Sequence, residues 1–225
     1  MFFLSLLIIA VAGYLLGSIN FAIVVSKFVT NVDIREYGSK NAGATNVIRT
    51  LGKKWGVVTA VGDIIKAMAA VAIGFVVYSL LCNDVQTSVI GAYTGGFFAM
   101  VGHIFPLYYR FKGGKGVATL CGTILCLNWR AALIMIFIFV LVILISKMVS
   151  LASVIGVSLF APLSIIFSII DKQNVNIAIF TAVVSFLFSV IVIWKHKENL
   201  AKIANGTERK IGQRDEIKSN KSTIF

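Results

Sequence analysis

Apolar runs of membrane-spanning length recur from one end of this chain to the other, and that leaves few folds open to it. A helix needs about 20 predominantly apolar residues to cross a hydrocarbon core. Such runs, separated by short polar breaks, occupy most of the 225 residues. The hydrophobic share is 58%, with a mean hydropathy of +0.93, against roughly 45–50% apolar residues in soluble domains. The fold class is therefore all-α polytopic membrane protein. The expected organisation is a single integral-membrane domain over 1–210 and a mobile polar tail over 211–225. The first run, Phe2 to Val25, lacks a basic stretch ahead of it and is too long for a signal-peptide core, so it reads as a retained helix.

The pattern predicts helices near 3–27, 56–81, 88–109, 116–127, 131–147, 151–170 and 174–195, seven segments in all. The fourth is short: about 12 residues rise only ~18 Å, less than a ~30 Å core. It either dips, tilts or extends through Asn128 to Arg130, and five or six crossings are the alternatives to seven.

Charge orders these segments. With the breaks 28–55, 110–115 and 148–150 and the C-terminal stretch on one side, that side carries 18 of the 21 Lys and Arg residues. Arg130 and Lys172 fall on the other, and Lys66 lies within the second helix. The positive-inside rule then places the N-terminus outside and the C-terminus in the cytoplasm. The net charge of +12 is thus a record of topology and not a nucleic-acid footprint. Cys82, Cys121 and Cys126 show no paired spacing and read as small buried hydrophobes. His103 and His196 lie too far apart, without ligand patterns around them, to suggest a metal.

The polar breaks carry the chemistry. Phe111-Lys112-Gly113-Gly114-Lys115-Gly116 sets two lysines and three glycines at the edge of apolar segments. A topogenic loop explains the lysines but not the glycines. Glycine lets backbone N–H groups approach an anion, and a helix starting at Gly116 aims its positive end at the same point. This is not a Walker A loop, because Tyr109 stands where its first glycine belongs. The run from Asp33 to Arg49 mixes Gly with Ser39, Asn41, Thr45 and Asn46, short side chains suited to an oxyanion shell, and adds an arginine fork suited to phosphate. An ordinary solvated turn region is the alternative there. Gly102-His103-Ile104-Phe105-Pro106 ends the third helix. Ser150-Leu151-Ala152-Ser153 opens the sixth, with Ser150 placed as its N-cap. His196 and Asn199, three apart, share one helical face just past the last crossing. Asp63 and Lys66 lie inside the second helix, where charges are expensive and are expected to pair with each other or with groups lining a site. All four loop constellations fall on the side the charge map calls cytoplasmic, which points to one anion-binding site.

These residues resemble the bacterial acyl-phosphate-dependent glycerol-3-phosphate acyltransferases of the PlsY type. The matches are Gly17-Ser18, Asp33-Ile34-Arg35, Gly38-Ser39-x-Asn41-x-Gly43-Ala44-Thr45-Asn46-Val47-x-Arg49-x-Leu51-Gly52-Lys53-Lys54, Gly102-His103-x-Phe105-Pro106, Phe111 through Thr119, Ser150 through Ser153, and His196-x-Glu198-Asn199. They are ordered and span nearly the whole chain.

The resemblance implies a seven-helix inner-membrane fold with its site at the cytoplasmic side. It also implies transfer of a fatty acyl group from acyl phosphate to the 1-hydroxyl of glycerol 3-phosphate, giving lysophosphatidate and phosphate. Ser39, Arg49, Lys115, Ser153, His196 and Asn199 would be catalytic or in contact with substrate. Asn41, Thr45, Asn46, His103, Lys112, Gly113 and Gly114 would complete substrate binding. No cofactor or metal is implied. The partners are the two substrates, membrane lipids and an acyl-phosphate-producing enzyme. The chain departs from the family pattern at Asn20 (usually Pro), Lys40 (usually Gly) and Ala67 (usually Gly).

Two other classes fit less well. An anion transporter or channel would use the same basic groups, but outer halves such as 76–81 and 163–170 are mostly apolar. A CDP-alcohol phosphotransferase would need an Asp-rich motif that is missing. The His-x4-Asp dyad of commoner glycerolipid acyltransferases is also absent, which leaves the substrate's own phosphate or His196 to accept the proton.

Overall fold

Asn20 divides the first apolar run. Its Oδ1 accepts from the Ile23 N–H at 3.2 Å and caps a new helix, so the predicted helix 3–27 is two: α1 (Phe2–Gly17) and α2 (Phe21–Thr30). The side chain that departs from the usual proline thus starts the second helix by hydrogen bonding.

The computed structural model describes residues 1–212 and is all-helical over them. After α2 come a short 3-10 turn (Ile34–Glu36), α3 (Ala44–Leu51), α4 (Lys53–Cys82), α5 (Ser88–Ile104) and a second 3-10 turn (Leu107–Tyr109). The chain continues through α6 (Val117–Leu127), α7 (Trp129–Ser146), α8 (Val149–Ser158), α9 (Phe160–Ile170), α10 (Val175–Lys195) and α11 (Lys197–Ala204). Among the described residues, six stretches are long and apolar enough to cross a membrane: Phe2–Thr30, Lys53–Cys82, Ser88–Tyr109, Trp129–Ser146, Val149–Ile170 and Val175–Lys195. Helix α6, with 11 residues, remains the short one. Of the expected tail, Ile211 donates its N–H to the Lys147 carbonyl at 2.8 Å, and residues 213–225 lie outside the described residues.

The predicted helix 151–170 is also divided, at Leu159. Pro162 has no N–H to offer the Ser158 carbonyl, so the ladder breaks one turn ahead of it.

Two packing regimes hold the bundle. Helices α1, α4 and α5 meet through small residues, backbone against backbone. A Cβ added at Gly17 would sit 2.1 Å from the Ala99 carbonyl oxygen, and one at Gly74 would sit 2.2 Å from that of Gly91. Such close approach is how helices associate where lipid removes the hydrophobic incentive. The other half is a conventional core in which Met100, Ile124, Met135, Phe160, Phe188 and Val192 are buried, with Phe160 and Phe188 edge-on at 5.8 Å between centroids. At the end of the bundle away from the polar loops, Arg130 pairs with Asp171 and lies 4.4 Å over the Phe167 ring.

Candidate active site

The polar breaks gather at one end of the bundle, tied by side chains that spend their hydrogen bonds on backbone. Asn46 donates to the Ile34 and Tyr37 carbonyls at 3.1 and 3.0 Å, and its Oδ1 accepts from the Ser39 N–H at 2.8 Å. It is 1% exposed and acts as the template that shapes the Ser39 loop. Gly38 is required beside it: φ is +58°, and a Cβ would meet Asn46 Oδ1 at 2.3 Å. Lys40 adopts φ +58° as well, a left-handed conformation that glycine enters without a Cβ penalty. Arg35 pairs with Asp33 at 2.6 Å and donates to the Tyr109 and Lys112 carbonyls, both at 2.9 Å. It locks the first loop to the glycine-lysine loop, and its guanidinium holds the Asp33 carboxyl below the usual carboxylate range.

The glycine-lysine loop departs from its sequence reading. The Gly113 and Gly114 N–H groups do not face open space. They donate to the Ile104 and His103 carbonyls at 3.2 and 3.1 Å. A Cβ at Gly113 would stand 2.0 Å from the His103 carbonyl oxygen, and one at Gly114 would stand 2.2 Å from His103 Nε2. The two glycines let the loop lie flat on the end of α5. The Lys112 side chain is exposed and, like both glycines, stays outside the lining of the cavity described next. Gly116, at φ +85°, turns the chain into α6. The loop therefore reaches the cavity through Lys115 and Gly116, held in place by glycine packing.

A cavity of ≈ 870 Å³ opens at this end. Its polar part brings together Ser39, Arg49, Lys115, Ser153, His196 and Asn199, with Asn41, Thr45, Asn46 and His103 also on its wall. The remainder is apolar and runs between α4, α6, α7 and α8 past Leu120, Ile124, Met135, Phe139, Ile143 and Val157. Ile136, on the same wall, is 37% exposed, so the groove reaches the outer surface of the bundle.

Lys115 donates to Asn199 Oδ1. The Asn199 amide nitrogen in turn donates to Glu208 Oε1 at 2.8 Å, to Oε2 at 3.1 Å and to Ser150 Oγ at 3.0 Å. Ser150 donates to Glu208 Oε1 at 2.5 Å. The sequence reads Ser150 as an N-cap, but α8 starts two residues earlier, at Val149, with Met148 as its cap residue and no side-chain cap. The Ser150 hydroxyl serves the carboxylate instead. Glu208 was not among the predicted site residues. It is 8% exposed, and the available signal was a carboxylate nine residues past Asn199, next to Arg209 and Lys210.

Burial brings Lys115 down to about 8, opposed by the negative charges of Glu208 and Glu198. Burial, then the positive Lys115, brings His196 down to about 4. The His196 ring is thus neutral near pH 7. Its Nδ1 lies 2.8 Å from the Val192 carbonyl, which can only accept, so the proton sits on Nδ1 and Nε2 is left as an acceptor. Ser153 donates to the Val149 carbonyl at 2.8 Å, so its oxygen faces the cavity as an acceptor too. Asp63 and Lys66 pair as the sequence predicts, at 2.7 Å. Asp63 lines the cavity beside His103.

A helical bundle with membrane-length apolar helices, whose cationic pocket continues into an apolar groove, defines an integral membrane protein with a mixed polar and apolar site. The family model described as glycerol-3-phosphate acyltransferase matches residues 7–206, and the chain belongs to that family. A glycerol-3-phosphate acyltransferase of Clostridioides difficile (strain 630) is 41% identical over 212 residues, covering 94% of this chain and 98% of the relative. Glycerol-3-phosphate acyltransferase 2 of Bacillus anthracis is 41% identical over 202 residues, covering 89% and 96%. Among solved structures, the glycerol 3-phosphate form of the integral membrane protein PlsY superposes with a TM-score of 0.74 at 31% identity, covering 92% of this chain and 96% of that one. Its lysophosphatidic acid form gives 0.72 at 30%, covering 93% and 96%. The chain is a PlsY-type, multi-pass membrane protein.

Proposed function

We propose that this protein transfers a fatty acyl group from acyl phosphate to the 1-hydroxyl of sn-glycerol 3-phosphate, releasing lysophosphatidate and inorganic phosphate, at the cytoplasmic face of a bacterial inner membrane. One observation carries the reading: Arg49, Lys115, His196 and Asn199 share a single cavity with an apolar groove between helices. Cationic and amide groups at one end suit two phosphates, and the groove suits one acyl chain. The PlsY structures in glycerol 3-phosphate and lysophosphatidic acid forms support substrate and product of this chemistry. The cytoplasmic placement rests on the bias of Lys and Arg toward the site end.

The donor is a mixed anhydride with a good leaving group, so the protein mainly has to orient and neutralise. Arg49 and Lys115 neutralise phosphate charge. Asn199, pinned by Glu208, holds the Lys115 ammonium in place. The glycerol hydroxyl oxygen forms a bond to the acyl carbon, the acyl–phosphate C–O bond breaks, and phosphate leaves with that electron pair. Two acceptors compete for the hydroxyl proton. His196 sits at about 4, below even the second ionisation of a phosphate monoester, about 6, and inorganic phosphate is no weaker a base than that. The departing phosphate is the stronger base, and His196 Nε2 is left to align the hydroxyl. No cofactor enters the reaction. An enzyme that makes acyl phosphate must supply the donor.

The test is turnover of palmitoyl phosphate and glycerol 3-phosphate by purified protein, with palmitoyl-CoA as the alternative donor. Lysophosphatidate from the phosphate donor alone is expected; turnover with the thioester alone would overturn the assignment.

A further inference from the structure

Three buried ionisable side chains meet where α1 gives way to α2, and the chemistry above uses none of them. Lys66 is 4% exposed, Asp63 1% and His103 3%. An ammonium group has three protons and accepts nothing. Lys66 directs two of them to the Ile19 carbonyl at 2.6 Å and His103 Nδ1 at 3.0 Å, and its charge pairs with Asp63 Oδ1 at 2.7 Å without a hydrogen bond between them. The Ile19 carbonyl lacks its helical partner, because the Ile23 N–H has turned to Asn20. Lys66 therefore mends the helix break and reaches the histidine at once. Asp63 Oδ1 stands 3.3 Å from the same ring nitrogen and cancels the lysine charge.

The histidine's proton follows from this. Since Lys66 can only donate, Nδ1 is the acceptor, and the neutral ring carries its proton on Nε2. Nε2 makes no hydrogen bond within the described residues. Yet the ring lines the cavity, and a Cβ at Gly114 would come within 2.2 Å of that nitrogen. An Nε2–H on the cavity wall is free to donate, and a substrate oxygen can accept it.

We propose that Lys66 and Asp63 are positioning residues that hold His103 as an Nε2–H donor to an anionic phosphate oxygen of the bound substrate. The proposal rests on the acyltransfer reading of the cavity. It assigns the intramembrane ion pair to orientation of a neutral donor, distinct from the charge neutralisation by Arg49 and Lys115. The phosphate belongs to glycerol 3-phosphate or to the acyl donor, and the kinetics below separate the two.

The chain contains two histidines, so full-length protein labelled with ¹⁵N-histidine, with a His196→Gln sample for assignment, reports each ring. Without substrate, His103 is expected to show a protonated Nε2 and a bare Nδ1. In Lys66→Met the proton moves to Nδ1, toward Asp63. Lys66→Met and His103→Phe each lower kcat/KM by about 10- to 100-fold, and the double variant is no worse than either. His103→Gln, which keeps an N–H near the Nε2 position, retains most of the activity. The KM that rises, for glycerol 3-phosphate or for palmitoyl phosphate, names the phosphate. If Lys66→Met does not fold, Asp63→Asn/Lys66→Met removes the uncompensated charge and takes its place. A wild-type ring protonated at Nδ1, or losses that multiply in the double variant, would overturn the proposal. A wild-type chain inactive toward palmitoyl phosphate would instead remove the functional reading and leave the ring measurement intact.

Discussion

The amide nitrogen of Asn199 lies 2.8 and 3.1 Å from the two carboxylate oxygens of Glu208, and this contact decides which way the amide faces. With nitrogen turned to the carboxylate, the amide oxygen is turned to Lys115. Reversing the chemistry at either partner undoes both contacts. Asn199→Asp sets two carboxylates against each other and is expected to abolish activity. Glu208→Ala leaves Asn199 and Ser150 without their acceptor, a loss of about 1–3 kcal/mol. Glu208→Gln, which keeps one acceptor oxygen, falls between Glu208→Ala and wild type. Melting temperature and kcat/KM measured together on the three variants check that order.

Activity should have a basic limb set by Lys115. In the proposed reaction its ammonium neutralises phosphate, and it has been brought down to about 8, so kcat/KM is expected to fall as pH rises through about 8. Bound phosphate stabilises the charged form, so the limb in kcat lies at higher pH than the limb in kcat/KM. Paired pH profiles of the two parameters test this.

Stability should have an acid limb that includes His196. Its folded pKa, about 4, is below the unfolded value of about 6.5. Between those values the unfolded chain binds more protons than the folded one, so stability rises with pH across that window. The contribution is complete above 6.5 and is lost as pH falls toward 4. In His196→Gln the slope of melting temperature against pH between 4 and 6.5 should be shallower than in wild type.

Lys40→Gly sets two small effects against each other. Removing a Cβ from the left-handed region relieves about 1 kcal/mol, while the extra freedom of an unfolded glycine costs about 0.5–1 kcal/mol. Melting temperature is expected to change little. The loss of a positive charge from the cavity wall should raise KM for glycerol 3-phosphate, and more so at low salt.

Much of this was legible in the sequence because the segments that carry it are locally strong. Apolar runs located the long helices, and the Ser39–Arg49, Lys115 and His196–Asn199 clusters announced themselves as polar groups that a bilayer would not tolerate idly. What escaped depends on contacts distant in the chain. Gly113 and Gly114 looked like a phosphate cradle because their packing against the His103 carbonyl and ring is invisible in a linear motif. Ser150 looked like a cap because its partner Glu208 is 58 residues away. The break at Asn20 was hidden because its flanks are as apolar as an unbroken helix, and only a side-chain hydrogen bond divides them.

Product stoichiometry tests the central claim most directly. Purified protein given palmitoyl phosphate and glycerol 3-phosphate should release phosphate and lysophosphatidate in equal amounts, with neither formed when glycerol 3-phosphate is withheld. Phosphate released without the acceptor, or lysophosphatidate formed only from an acyl thioester, would contradict direct acyl transfer between two phosphates held in one pocket.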